Sequence, residues 1–337
     1  MGCDAISIAP GVLFVFKAPV YEQEFLFDKQ HRKRKSQSNL YSLDKVRDKL
    51  KWSEYHELAQ DFWQTCLYFA RLPTPSEYPR LSEVKERLGE PKKVLDYLLS
   101  MNEDDAFERA KDRKREDILV FIALNCFHQR RSLNSLPSAL KKDIKALFGS
   151  YKVAKDAGER LLYQAGNKED IAAIIEQTAC EGLGVLNDRK YLIAQCMVDD
   201  LPALLRVYIG CTSLLYGEGV EADIIALKLY TTKIDLRTYK DFSQHIPVLL
   251  ERVFIDLGRL KIDYVSYEDN PRIKRLFLKS KFMLPTDDGY DKQVQFDKTL
   301  TRYVEADRLH SDFSPEEIVQ ALPKSHKRKF EVALNRA

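Results

Sequence analysis

Basic residues form the groups whose type and spacing most clearly suggest chemistry, and that chemistry is contact with phosphate. Five positive charges fall within seven residues, with no acidic residue between them: Lys29, Arg32, Lys33, Arg34 and Lys35. Such a cluster neutralises phosphates and releases their counterions, so it predicts sequence-independent binding to a nucleic-acid backbone. The competing interpretation is that these lysines and arginines are only exposed to solvent and bind no partner.

Three further groups extend this prediction. The first recurs at steps of four, seven and three residues, which predicts one face of a single helix; its members are Lys141, Lys145, Lys152 and Lys155. The second is predicted to share one face of a strand and consists of Lys279 and Lys281. The third comprises Lys327, Arg328 and Lys329. No helix-turn-helix or zinc-finger pattern accompanies them, so base-specific reading is not expected.

Carboxylates on or beside the predicted strands suggest a different chemistry. They are Asp223, Asp235, Glu268 and Asp269. A metal-dependent nuclease needs clustered carboxylates and a lysine on one face of a sheet. Lys233 and Asp235 share a strand face, although charges on any half-exposed sheet do the same. We therefore expect no metal site and keep a cryptic nuclease as an alternative.

Cofactor and nucleophile motifs are missing from the sequence. The run Lys92–Tyr97 is similar in sequence to the first strand of a SAM-binding domain. In such a domain glycines follow this strand, whereas here Leu98-Leu99-Ser100 follows. There is no P-loop, no H-E-x-x-H and no G-x-S-x-G. His245 is predicted to lie in a loop, without an acidic partner at a fixed spacing. We expect no cofactor.

Composition limits the class of protein. Lys and Arg number 54 against 51 for Asp and Glu, so net charge alone indicates no nucleic-acid partner. Cys66, Cys126 and Cys211 lie in apolar helical runs and are expected to be reduced core residues. No apolar run approaches the ~20 residues that span a bilayer. The first residues also lack the basic segment of a signal peptide, so a cytoplasmic protein without a membrane partner is expected.

Helices are predicted to dominate residues 18–217, after a short strand at Val12–Phe16. Apolar residues at three- and four-residue steps between Trp52 and Phe69 indicate one buried helical face. One helix is predicted from Pro137 to about Gln164, and another from Asn167, a good N-cap. Asp117–Phe127 reads as a helix that is apolar all round. Leu201–Gly217 reads as a second buried helix.

Alternation of apolar and polar residues replaces the helical period after Gly217. It recurs in short stretches that are centred on Leu227, Leu236, Ile255, Ile262 and Leu278. A period of two with short turns predicts a meander of five antiparallel strands. Helices are expected again from about Asp291 onwards.

Four segments, in the same order, resemble the carboxy-terminal region of the bacterial DNA-phosphorothioation-associated methyltransferase family. They are Ala9–Phe16, Arg115–Val120, Leu136–Lys152, and Leu201–Gly217 with its following hairpins. Members of that family also carry a SAM-binding domain with an acidic-Gly-x-Gly loop, which no residue here matches. The resemblance implies a setting in DNA modification or anti-phage defence, and it implies no reaction.

Together these features predict an α+β fold: a mainly helical region at residues 1–217, packed on the meander and the C-terminal helices of residues 218–337. The two regions are expected to share one core. The predicted function is a non-catalytic accessory protein that binds duplex DNA weakly, or another protein of the defence system. The alternatives are a cryptic nuclease, a methyltransferase subunit that needs a separate SAM-binding partner, and a structural subunit that binds only protein.

Overall fold

The computed structural model describes residues 5–9, 12–15, 54–101, 105–128, 136–216, 222–268 and 274–305, with single positions beyond. The chain divides into two units. The first comprises Met1–Gln64 and Thr74–Leu98, and the second comprises Thr65–Pro73 and Leu99–Ala337. None of the helices in these ranges is long and apolar enough to cross a membrane.

Among its described residues, the first unit contains a hairpin and all or part of three helices. Strands β1 (Ala5–Ala9) and β2 (Val12–Val15) pair antiparallel, which confirms the predicted strand at Val12. The helices are α1 (His56–Phe69), α2 (Leu81–Arg87) and α3 (Pro91–Met101), and α1 and α3 run past the limits of the unit. The run Lys92–Tyr97, whose sequence is similar to a SAM-binding strand, therefore lies in a helix. Residues 18–53 of the region predicted to be helical lie outside the described residues.

Five of the described helices of the second unit lie between residues 106 and 216. They are α4 (Ala106–His128), α5 (Ser138–Phe148), α6 (Tyr151–Ala165), α7 (Lys168–Cys180) and α8 (Ala203–Tyr216). The predicted N-cap of α7 is confirmed, because the Asn167 side chain accepts a hydrogen bond from the Glu169 amide at 3.0 Å.

The single helix predicted over residues 137–164 is wrong, because the chain breaks between α5 and α6. Gly149 ends α5 with a φ of +75°, a left-handed conformation that glycine adopts without the steric cost of a Cβ. Ser150 then starts α6 by accepting a hydrogen bond from the Val153 amide at 3.3 Å.

Helix α8 is buried, as its apolar sequence predicts, and it approaches α4 closely. A Cβ placed on Gly210 would lie 2.7 Å from Leu124 Cδ1, so the contact between the two helices depends on the missing side chain. Arg206 leaves the apolar face and pairs with Asp117 at 2.8 Å. Helix α4 is not enclosed on all sides as predicted, since Phe121 and Phe127 are each 40% exposed.

In the described part of the chain, the main sheet has six antiparallel strands in the order in which they occur in the sequence. They are β3 (Val185–Asn187), β4 (Lys190–Ala194), β5 (Ile224–Lys228), β6 (Lys233–Lys240), β7 (Val248–Asp256) and β8 (Lys261–Ser266). Four of the five predicted strands are confirmed. The fifth is wrong, because Lys279–Phe282 is a 3-10 turn, and β3 and β4 were missed within the region expected to be helical.

One hydrophobic core joins the helices to the sheet. It includes Val120 of α4, Ile175 of α7 and Leu205 of α8 together with Ile225 and Ile234 of the sheet. Described residues on both sides of position 217 therefore contribute to one core. Helix α9 (Tyr290–Tyr303) packs in a separate apolar cluster through Phe296 and Leu300.

Candidate nucleic-acid interface

Three hairpin turns bring basic residues to one end of the main sheet. Because successive strands run in opposite directions, the β3–β4, β5–β6 and β7–β8 turns all lie at the same end. Exposed basic side chains lie in or beside these turns: Arg189, Lys190, Lys228, Lys233 and Arg259. We call Lys190, Lys228 and Lys233 the lysine row.

Lys190 and Lys228 lie directly opposite each other on β4 and β5. The Leu229 amide donates to the Arg189 carbonyl, and the Gln195 amide donates to the Asp223 carbonyl. Because hydrogen-bonded and non-hydrogen-bonded pairs alternate along antiparallel strands, Lys190 and Lys228 form a pair without mutual backbone hydrogen bonds. Side chains approach most closely in pairs of this type. Neither lysine forms an ion pair with any described residue. Two like charges in this position destabilise a sheet, so the arrangement favours a bound anion.

Lys233 continues the row on the next strand. Leu227 pairs with Ile234, so the residues one step nearer the turn, Lys228 and Lys233, project from the same face. Lys233 also lies opposite Asp256 of β7. The Asp256 carboxylate accepts a hydrogen bond from the Thr232 hydroxyl at 2.6 Å, which lowers its pKa, and the charge of Lys233 lowers it further.

The same sheet face carries Asp235, the candidate nuclease carboxylate. Arg237 donates to Asp235 at 3.0 Å, and Arg252 donates to it through Nε at 2.9 Å and also through Nη2. Arg252 in turn lies 4.4 Å from the centre of the Phe254 ring. Two guanidinium groups therefore bind the Asp235 carboxylate, which a metal ion would need as a ligand. Together with Asp235 they leave a net positive charge on this face of the sheet.

The other candidate carboxylates do not join Asp235. Asp223 accepts a hydrogen bond from the Tyr239 amide at 2.7 Å, and burial raises the pKa of Asp223. Glu268 is exposed, and Asp269 lies outside the described residues. In the described part of the chain, no group of three or more histidine, cysteine or acidic side chains is arranged to hold a metal ion.

Lys279 was predicted to contact phosphate from the face of a strand. The structure corrects this prediction, because the Lys279 side chain points inward. It is only 3% exposed, and its ammonium donates to the backbone carbonyls of Phe242, Ser243 and Gln244 at 2.8, 3.2 and 2.6 Å. Burial lowers the pKa of Lys279. The three donor hydrogens of the ammonium are directed at these carbonyls, so Lys279 cannot reach a phosphate. Lys281 is exposed but lies in a 3-10 turn, not on a strand.

A buried polar cluster surrounds Lys279 and includes His245. The Gln293 side-chain oxygen accepts a hydrogen bond from His245 Nδ1 at 2.8 Å, and Gln293 Nε2 donates to Asp297 at 2.9 Å. Asp297 also accepts from the Ser280 amide at 2.8 Å, and burial raises the pKa of Asp297. His245 stacks on Phe296 at 4.4 Å. The acidic partner that sequence spacing did not show is thus Asp297, reached through Gln293.

The other basic residues that were predicted to contact phosphate do not form one surface among the described residues. Lys141 and Lys145 belong to α5 while Lys152 and Lys155 belong to α6, so the break at Gly149 prevents the single helix face that was predicted. Lys155 pairs with Glu159 at 3.6 Å. Lys327 is half-buried. The residues that lie outside the described ones are Lys29, Arg32, Lys33, Arg34, Lys35, Arg328 and Lys329.

The buried cysteines are not nucleophiles. Burial raises the pKa of both Cys66 and Cys211 to about 12, which keeps the unreactive thiol form at neutral pH. Cys126 is partly buried, and Cys180 and Cys196 are exposed. None of these five described cysteines forms a disulfide.

The sequence singled out Lys233 only as a possible partner of the nuclease carboxylate Asp235, and it did not single out Lys190 or Lys228. Lys190 is 38 positions from Lys228, and it lies on a strand that was missed. The short apolar run Tyr191–Ala194, which follows the turn at Asp188-Arg189, was the available signal. Comparison with protein-family models, with curated proteins and with solved structures finds no match to the chain.

Proposed function

We propose that the protein is a non-catalytic accessory protein that binds the phosphate backbone of duplex DNA through the lysine row. The observation that carries the proposal is the Lys190–Lys228 pair, two exposed like charges held face to face across neighbouring strands. Such a pair costs stability in the free protein. A polyanion removes that cost, because each phosphate is attracted to both ammonium groups.

The chemistry of the row predicts how the protein binds. Lysine ammonium groups act as point charges and position a backbone without reading base edges. Arg189 and Arg259 in the adjoining turns widen the positive surface, and Asp188 and Asp256 limit its strength. Binding should therefore be weak, independent of sequence and strongly dependent on salt.

The biological setting rests on the resemblance of four segments to the phosphorothioation-associated family. In that setting, the chain would hold DNA for a separate catalytic subunit in modification or anti-phage defence. The nuclease alternative is weakened by the arginines that occupy Asp235. For the methyltransferase alternative, the decisive measurement is calorimetric titration with SAM. We expect no binding to this chain alone, and micromolar affinity would favour the enzyme.

The test of the proposal is fluorescence anisotropy with a labelled duplex at several salt concentrations. We expect a linear fall of log K with log salt, with a slope of about −0.9 per phosphate neutralised. The triple variant Lys190→Gln, Lys228→Gln and Lys233→Gln should lose most binding at low salt and flatten the slope by up to about 3.

A matched triple variant controls for loss of charge alone. Lys168, Lys292 and Lys298 are exposed lysines on α7 and α9, and their replacement by Gln removes the same charge. If both triple variants weaken binding equally, the effect is one of net charge and the lysine row is not the site. If the wild-type protein does not bind at low salt, the DNA proposal fails and a protein partner becomes the better explanation.

A further inference from the structure

Strand β8 forms one edge of the main sheet and is exposed along its whole length. Within the described residues it pairs only with β7. All six of its residues are exposed, including Ile262 at 38% and Tyr264 at 55%. Leu260, just before the strand, is 67% exposed. An edge of this kind offers unpaired backbone groups to another strand.

The backbone groups that face outward follow from the pairing with β7. The Tyr267 amide donates to the Leu250 carbonyl at 2.8 Å, so the hydrogen bonds to β7 come from every second residue from Tyr267 backwards. Ile262 and Tyr264, which lie between them, direct their N–H and C=O groups to the open edge. These two residues also present apolar side chains on one face of the sheet.

The sequence of this edge is self-complementary when read antiparallel. If Ile262 lies opposite Ile262 of a second copy, then Lys261 faces Asp263 of the copy, and Asp263 faces its Lys261. In this register, Ile262 meets an apolar residue and each of the two charges beside it meets its opposite.

Neighbouring registers lack this match. A shift of two residues in one direction places Asp263 opposite Asp263, and the same shift in the other direction places Lys261 opposite Lys261. A shift of one residue places outward backbone groups opposite inward ones. Like charges directly opposite each other destabilise a sheet, so the register centred on Ile262 is preferred over these neighbouring registers.

We propose that β8 is a docking edge for a second copy of this chain, which extends the main sheet across a twofold axis at Ile262. Lys261 and Asp263 already form an ion pair with each other at 2.7 Å. That ion pair is exposed to solvent and contributes little to stability. Replacing it with two ion pairs between the copies therefore costs little free energy. This inference does not depend on the proposed function, since it uses none of the lysine row.

Analytical ultracentrifugation of the full chain over a range of concentrations tests the proposal. The wild-type protein should show a reversible monomer–dimer equilibrium. Lys261→Asp places acid opposite acid, and Asp263→Lys places base opposite base, so each should weaken the dimer by at least about tenfold. An equal mixture of these two variants should restore dimerisation as a heterodimer, and so should the double exchange in one chain.

Two controls change the same charges away from the edge. Lys298→Asp on α9 and Asp288→Lys in the preceding loop should both dimerise like the wild-type protein. A wild-type protein that stays monomeric up to its solubility limit would overturn the proposal and would show that the charges protect the edge from pairing. A dimer that both single exchanges leave intact would also overturn it.

Discussion

Lys279 and the lysine row place the same side chain in opposite environments within one unit of the molecule. Lys279 is buried, and three carbonyls surround its ammonium. Lys190 and Lys228 are exposed, and each faces another positive charge. Lys279 therefore stabilises the fold, whereas the lysine row makes the fold less stable than it could be. A lysine that costs stability is the better indication of a binding function.

The largest effect is expected at Lys279. Lys279→Met keeps most of the side-chain volume but leaves three carbonyls without their donor and Asp297 without a nearby positive charge. We expect a loss of about 3–5 kcal/mol in the free energy of unfolding, measured by urea denaturation. Lys281→Met, two residues away and exposed, is the control and should change little. Equal stability of the two variants would contradict the inward role of Lys279.

A second effect concerns the helices that support the sheet. Gly210→Leu should destabilise the protein by about 1–3 kcal/mol, because even a Cβ at this position would lie 2.7 Å from Leu124. Ser213→Leu adds a comparable side chain to an exposed position of the same helix and should have little effect. Thermal unfolding measures both. An unchanged melting temperature for Gly210→Leu would contradict the close approach of α8 to α4.

A smaller effect of opposite sign is expected in the lysine row. Lys228→Glu converts a like-charge pair with Lys190 into an opposite-charge pair, so it should stabilise the protein by up to about 1 kcal/mol. The same variant should weaken DNA binding. Lys240→Glu, at an exposed position opposite Val248, is the control. Loss of stability in Lys228→Glu would show that the lysine row is not under electrostatic strain.

The smallest effect depends on pH and involves Asp256. Hydrogen bonds from Thr232 and Gly258 hold the pKa of Asp256 below its ordinary value of 3.8. The ionised carboxylate therefore stabilises the fold above that ordinary value, and this contribution is lost as pH falls through the lowered pKa. Asp256→Asn should be less stable than the wild-type protein at neutral pH, and the difference should disappear in acid. A difference that is constant with pH would exclude ionisation as its cause.

The sequence predicted local features well where one residue type dominates the backbone choice. Asn167 was expected to cap a helix, and it does, because its short side chain reaches the amides of the first turn. The strands around Leu227 and Leu236 were found from alternation alone, since one face is buried. The helix at Leu201–Gly217 was found from its apolar content.

The failures occurred where distant packing overrides the local pattern. Leu276–Leu284 alternates like a strand, yet it turns inward, because the Lys279 ammonium is bound by carbonyls more than 30 residues earlier in the sequence. The helical spacing of Lys141–Lys155 was real, but Gly149 adopts a conformation that ends the helix. The short strand β3 carries too few residues for alternation to be recognised.

Residue type and spacing by themselves predicted an α+β fold and the meander after Gly217. They also indicated that lysines, and not a cofactor motif, are the candidate functional residues. Tertiary structure alone decided which lysines face solvent, because a side chain's neighbours depend on which strands pair. It placed Lys190 beside Lys228, enclosed Lys279, and joined His245 to Asp297 through Gln293. Charge acts through distance in space, and in each of these cases the contact joins residues that are far apart in the sequence.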